Sequence, residues 1–117
     1  MNKLIKVKES YIFRRAYKRG TSMVSPYIVV YALKNRYSDV RLGITVGKKI
    51  GNAVSRNRAK RVIAAAFRQI FPQIPKGYDY IIVARTRILT VKSTVVAESL
   101  LKVLKSAELS DNSKKNE

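Results

Sequence analysis

Apolar residues recur along this 117-residue chain with two spacings, and the switches between them mark its elements. Over residues 10–19 the spacing is helical. Phe13, Ala16 and Tyr17 lie at i, i+3 and i+4 and share a face, with Arg14, Arg15 and Lys18 mostly off it. Gly20 then suits the left-handed residue that closes a helix. Over residues 27–33 the period drops to two, and Pro26 marks a start or an edge. Tyr27, Val29, Tyr31 and Leu33 take one side; Ile28, Val30 and Ala32 take the other. A polar connection, 35–39, leads to a second strand at 41–46. There Leu42, Ile44 and Val46 oppose Arg41, Gly43 and Thr45. The two strands read as an antiparallel hairpin.

Asn52 is placed to cap a long helix that ends near Phe71, before Pro72. After a loop at 72–77, residues 78–84 form a third strand whose run Tyr80-Ile81-Ile82-Val83-Ala84 reads as buried on both faces. A basic loop with Arg85 and Arg87 follows. Thr90 suits the cap of a last helix with Val96, Leu100, Val103, Leu104 and Ala107 at helical spacing. Residues 110–117 contain no apolar side chain and read as a disordered tail, which leaves one domain over 1–109. The expected order is α-β-β-α-β-α. A helix between the second and third strands makes those two parallel. Strands on one side and helices on the other give a two-layer α/β sandwich, α+β in class.

Charge changes this picture from a fold to a binding protein. Twenty-five Lys and Arg against seven Asp and Glu give +18 and an isoelectric point near 10.6. Such an excess speaks of polyanionic partners. No apolar run approaches the ~20 residues needed to span a bilayer, so a membrane role is disfavoured. The first six residues do not lead into the apolar segment of a secretory signal, and a cytoplasmic location is the expectation. With no Cys and no His, thiol chemistry, imidazole catalysis and the common zinc sites are excluded.

The excess is concentrated. Between Asp39 and Asp79 stand nine Lys and Arg and no carboxylate. On the long helix, Val62, Ala66, Ala59, Ile70, Ile63 and Phe67 fall in one arc, and Lys60, Asn57, Arg68, Arg61 and Arg58 in the opposite one. Ala64 and Ala65 lie on the cationic side; short side chains there admit a close sugar-phosphate backbone, and alanine's helix propensity accounts for them equally. A solvated charged face normally mixes both signs for i,i+4 pairing, and this one has no acid to pair with. The face therefore reads as a nucleic-acid surface. Lys48, Lys49 and the helix start at Asn52 suit phosphates, and Arg56, Arg58 and Arg61 can grip them bidentately. Asn57 suits a 2′-hydroxyl, a base edge or the orientation of a neighbouring arginine.

Lys48-Lys49-Ile50-Gly51-Asn52-Ala53-Val54, followed by Arg56-Asn57-Arg58-x-Lys60-Arg61, resembles the signature of the bacterial ribonuclease P protein subunit. Phe13-x-x-x-Tyr17-Lys18-x-Gly20 resembles that family's first helix, Tyr31 its first long strand, and Tyr80-Ile81-Ile82-Val83-Ala84-Arg85 its late strand. The resemblance implies a ribosomal-protein-like sandwich with a left-handed β-α-β crossover, which the usual handedness rule does not predict. It also implies an RNA catalyst that, with Mg²⁺ bound mainly by RNA, removes the 5′ leader of precursor tRNA. Carried across, Lys48, Lys49, Asn52, Arg56, Asn57, Arg58, Lys60, Arg61 and Arg68 face the catalytic RNA. Phe13, Tyr17 and Tyr31 line the leader cleft, where unpaired bases stack on aromatic rings. The same three rings are compatible with plain packing of the first helix on the sheet. Glu9, where relatives often carry a base, and Gly47, where Ser is common, depart from the family pattern.

Two other classes compete with this reading. A ribosomal or other structural RNA-binding protein shares the composition, and only the co-occurrence of the basic helix with the aromatic set argues against it. A protein-only nuclease needs a carboxylate cluster or a histidine base. The seven carboxylates are scattered along the chain, and no protein active site is visible in it.

Overall fold

The computed structural model describes residues 3–107 and 109, so the expected tail at 110–117 lies outside the described residues. The elements are β1 (Leu4–Lys6), α1 (Ser10–Arg19), β2 (Thr21–Val24), β3 (Ile28–Lys34), β4 (Val40–Thr45), α2 (Ala53–Ile70), β5 (Tyr78–Ala84) and α3 (Ser93–Ser106). All six expected elements form. The additional strands β1 and β2 have three and four residues, too short for a two-residue period to stand out.

The sheet order is β1-β4-β5-β3-β2. The expected hairpin of β3 and β4 does not form, because β5 lies between them. It pairs antiparallel with β3 and parallel with β4. The reason lies in the residues of β5, which are buried from Tyr78 through Ile82. A strand apolar on both faces belongs at the centre of a sheet. The antiparallel sense of β3 relative to β4 survives, as does the parallel pairing through α2; only adjacency was misread.

Alternation along β5 divides the molecule. Tyr80 and Ile82 join Val30, Leu42, Ile63, Phe67, Val96 and Leu100 in the main core between the sheet and α2 with α3. Ile81 points to the other face, where it meets Ile12 and Ala16 of α1. The sheet with α2 and α3 is thus the two-layer sandwich, and α1 lies against the opposite face.

Two local expectations are corrected. Gly20 is extended, with φ −76° and ψ 162°, so it does not close α1 by a left-handed residue. Its role is space: a Cβ there would stand 2.6 Å from the carbonyl oxygen of Ala16 and 3.0 Å from that of Ala32. Thr90 does not cap α3. It ends a 3-10 turn, Thr86–Thr90, and its hydroxyl donates to the Arg87 carbonyl at 2.7 Å. Lys92 precedes α3 without a side-chain cap, since a lysine has no acceptor to offer.

Candidate nucleic-acid interface

The entry to α2 is built as a fixed turn. Lys48–Ile50 form a 3-10 turn anchored by buried Ile50. Gly51 follows at φ 136°, a conformation that side-chain-bearing residues rarely adopt. The Asn52 side-chain oxygen then accepts from the Ser55 N–H at 2.9 Å, as an N-cap should. Arg56 Nη1 donates to the Gly51 carbonyl at 2.7 Å. Asn52 and Arg56 therefore hold the turn, while Lys48 and Lys49 stand exposed on it. With no acid in the first turn, the positive end of the helix dipole is left uncompensated.

Along α2 the two arcs separate as expected. Ala59, Ile63, Ala66, Phe67 and Ile70 are buried and Val62 half-buried, whereas Asn57, Arg58, Lys60, Arg61 and Arg68 are exposed. Among the described residues, no carboxylate lies within ion-pairing distance of these cations. Their charge faces outward.

One flank of that cationic arc lines a groove of about 740 Å³. Lys60, Ala64 and Arg68 are spaced i, i+4, i+8, and Arg61 and Ala65 repeat the spacing one step on. All five line it, together with Phe13. The two alanines keep this wall low between long cations. Arg58, Asn57 and the Lys48–Asn52 turn do not line the groove. The nine cation-side residues grouped by sequence thus fall into two sets, one shared with an aromatic and one outside. Lys6 and Lys8, which also line the groove, were missed. Their signal lies in three lysines interspersed with Leu4, Ile5 and Val7 over residues 3–8, too short and irregular a run to read as a strand.

The aromatics form a cluster on the α1 face. Tyr17 and Tyr31 pack edge to face with ring centroids 4.9 Å apart, and Phe13 and Tyr17 lie 6.5 Å apart. The Tyr17 and Thr45 hydroxyls share a hydrogen bond of 3.2 Å, which fixes the ring while 42% of the residue stays exposed. Phe13 and Tyr31 are half-buried. Gly43 makes room for this arrangement: a Cβ there would stand 2.6 Å from Phe13 Cζ and 2.7 Å from Ile81 Cδ1.

On the same face Arg41 clamps Asp79, with Nε to Oδ1 at 2.7 Å and Nη2 to Oδ2 at 2.8 Å, and Asn35 Nδ2 adds a bond of 2.9 Å. The hydrogen bond to Asp79 raises the Arg41 pKa further above its already high ordinary value, against a lowering by burial. The pair ties β4 to β5 on the face that α1 packs against.

Among the described residues, no group of three or more His, Cys, Asp or Glu could hold a metal ion. Asp79 is committed to Arg41.

A family model described as Ribonuclease P matches residues 1–108. The chain belongs to the ribonuclease P protein family. It is 41% identical over 106 residues to the Listeria welshimeri ribonuclease P protein component, covering 90% of this chain and 89% of that one. It is 41% identical over 87 residues to the Natranaerobius thermophilus component, covering 74% and 76%. The solved structure of the Staphylococcus aureus RNase P protein superposes with a TM-score of 0.75 at 36% identity, over 88% of this chain and 94% of that one. The Thermotoga maritima RNase P protein gives 0.77 at 34%, over 86% and 96%. A five-stranded sheet with three helices is thus the fold of the family. No helix among the described residues is long and apolar enough to cross a membrane.

Proposed function

We propose that this chain is the protein subunit of a cytoplasmic ribonuclease P ribonucleoprotein, in which an RNA with bound Mg²⁺ cuts precursor tRNA and the protein holds both RNAs. Lys48, Lys49, Asn52, Arg56, Asn57, Arg58, Lys60, Arg61 and Arg68 face the catalytic RNA. Phe13, Tyr17 and Tyr31 hold the 5′ leader by stacking. The observation that carries this reading is the groove that Lys60, Arg61 and Arg68 of α2 share with Phe13 of α1. The catalytic RNA and the leader then meet along one channel. Its low alanine wall admits a sugar-phosphate backbone, and its cations lower the repulsion between two polyanions. Because this contribution is electrostatic, affinity for the RNA falls by orders of magnitude over a modest rise in salt.

Reconstitution with a bacterial ribonuclease P RNA and precursor tRNA at low Mg²⁺ tests the reading. The protein should stimulate cleavage at the mature 5′ end; absence of stimulation overturns the proposal in favour of a structural RNA-binding protein. Arg58→Ala with Arg61→Ala should weaken binding to the catalytic RNA. Phe13→Ala with Tyr31→Ala should spare that binding and lower affinity for precursor but not for mature tRNA.

A further inference from the structure

A second, smaller pocket of about 330 Å³ opens between the start of α1 and the loop before β4, lined by Ile5, Glu9, Tyr11, Tyr37, Asp39 and Arg41. Lys6 and Val7 line both this pocket and the large groove, so the two adjoin. Its composition is unlike the rest of the surface. Ile5, Tyr11 and Tyr37, at 39, 50 and 53% exposure, are three of the six large apolar side chains exposed among the described residues. Glu9 and Asp39 stand at its rim, on a chain of net charge +18. A phosphate has acid-free cations to choose from elsewhere, whereas here Lys6 stands beside two carboxylates and Arg41 is already paired with Asp79.

Each rim carboxylate has one oxygen engaged and one available. Glu9 Oε1 accepts from the Lys8 N–H at 3.2 Å, and Asp39 Oδ1 from the Lys3 N–H at 2.8 Å. Their second oxygens have no partner among the described residues. Arg41 is clamped to Asp79, and its guanidinium carbon lies 5.2 Å from the centroid of the Tyr37 ring, so one face of that ring rests on a fixed cation. The site therefore offers aromatic rings beside two carboxylates, each with an oxygen to spare. It suits a flat ligand with adjacent N–H donors. Guanine alone among the four bases carries two neighbouring donors, N1–H and N2–H₂, on its pairing edge. Uracil sets two carbonyls around a single N–H, and these would face the carboxylates.

We propose that this pocket holds one guanine of the single-stranded leader, stacked on Tyr11 and Tyr37 with its donor edge on Asp39 and Glu9. The inference rests on the reading that the leader occupies the adjoining groove.

The test is a holoenzyme competition in which a pool of precursor tRNAs carries a leader of about ten randomised nucleotides. Relative kcat/KM is read by sequencing at each position. One leader position should favour guanine over uracil by about tenfold, and inosine, which lacks the N2 amine, should lose part of that preference. Asp39→Asn with Glu9→Gln keeps the shape of both side chains and their accepting oxygens toward Lys3 and Lys8, and should bring guanine and uracil to within twofold or so at that position. Tyr37→Ala should lower the preference as well. The inference is overturned if no position favours guanine, or if the preference survives the double carboxamide unchanged, in which case base pairing within the RNA creates it. A separate arm compares precursor with mature tRNA. If the wild-type holoenzyme does not distinguish them, the leader reading itself fails; if it does and no guanine preference exists, only the pocket assignment fails.

Discussion

Under α2 and α3 the sheet is sealed: Ile28, Val30, Leu42, Tyr80 and Ile82 are at most 1% exposed and continuous with Ile63, Phe67 and Leu100. Under α1 the buried apolar cluster is small, Ile12, Ala16 and Ile81, with Phe13 and Tyr31 half-buried at its margin. One helix of ten residues cannot cover a five-stranded face, so aromatic rings on that face stay accessible. The sealed face supplies the stability that lets the open face present rings and donors in fixed positions. On β3 the half-buried Tyr31 and the core residues Val30 and Ala32 occupy opposite sides of one strand, one residue apart in sequence.

The largest way to break this division is on the sealed side. Phe67 is fully buried and its ring packs 5.5 Å from that of Tyr80. Phe67→Ala should cost about 3–5 kcal/mol in urea denaturation. Binding to catalytic RNA and to precursor should then fail together, at the same denaturant concentration. If leader binding were lost while the fold stayed intact, the two faces would not be separate in function.

A smaller loss is expected where the open face carries its buried charge. Arg41→Ala would leave Asp79, 1% exposed, with Asn35 but without its bidentate cation. A destabilisation of about 3 kcal/mol is expected from denaturation midpoints. Arg41→Lys should recover only part of it, because an ammonium cannot reproduce the two parallel bonds.

Gly43→Ala acts on the open face alone. The added methyl meets Phe13 and Ile81 at under 3 Å, and both contacts are the far ends of side chains that can shift. A cost of about 1–2 kcal/mol in stability is expected. The sharper readout is binding: displacement of the Phe13 ring should weaken precursor and leave affinity for the catalytic RNA unchanged. Equal losses on both RNAs would show that Phe13 does not belong to a separate leader surface.

The same division explains what the chain's pattern could disclose. The arcs of α2 were legible because eighteen residues give five turns over which apolar and cationic positions separate. The cap at Asn52 was legible because capping is local chemistry. Strand adjacency was not: β3 and β4 are near in sequence, and nothing local says that β5, some forty residues on, inserts between them. The doubly apolar run of β5 holds that information, since burial on both faces is what a central strand requires. The groove was invisible for a related reason. Lys6 and Phe13 reach it from a three-residue strand and a helix on one side, Ala64 and Arg68 from α2 on the other, and only tertiary packing brings them together. The pocket with Tyr11 and Tyr37 is likewise assembled from segments that share no motif.

The smallest expected effect separates folding from binding at a single residue. Asn52 was assigned to the RNA surface, yet its side-chain oxygen is the cap of α2. Asn52→Ala should cost about 1 kcal/mol of stability, and any loss of RNA affinity in that variant is ambiguous. Asn52→Asp resolves it. Aspartate caps as well as asparagine and adds a favourable charge at the dipole's positive end, so stability should be kept or raised slightly. A carboxylate in contact with phosphate would instead repel it. If Asn52 touches the catalytic RNA, Asn52→Asp should bind more weakly than Asn52→Ala despite folding better. If the residue serves the turn alone, the aspartate variant should bind as the wild type does, and the contact surface of α2 would begin with Lys48, Lys49 and the exposed arc from Asn57.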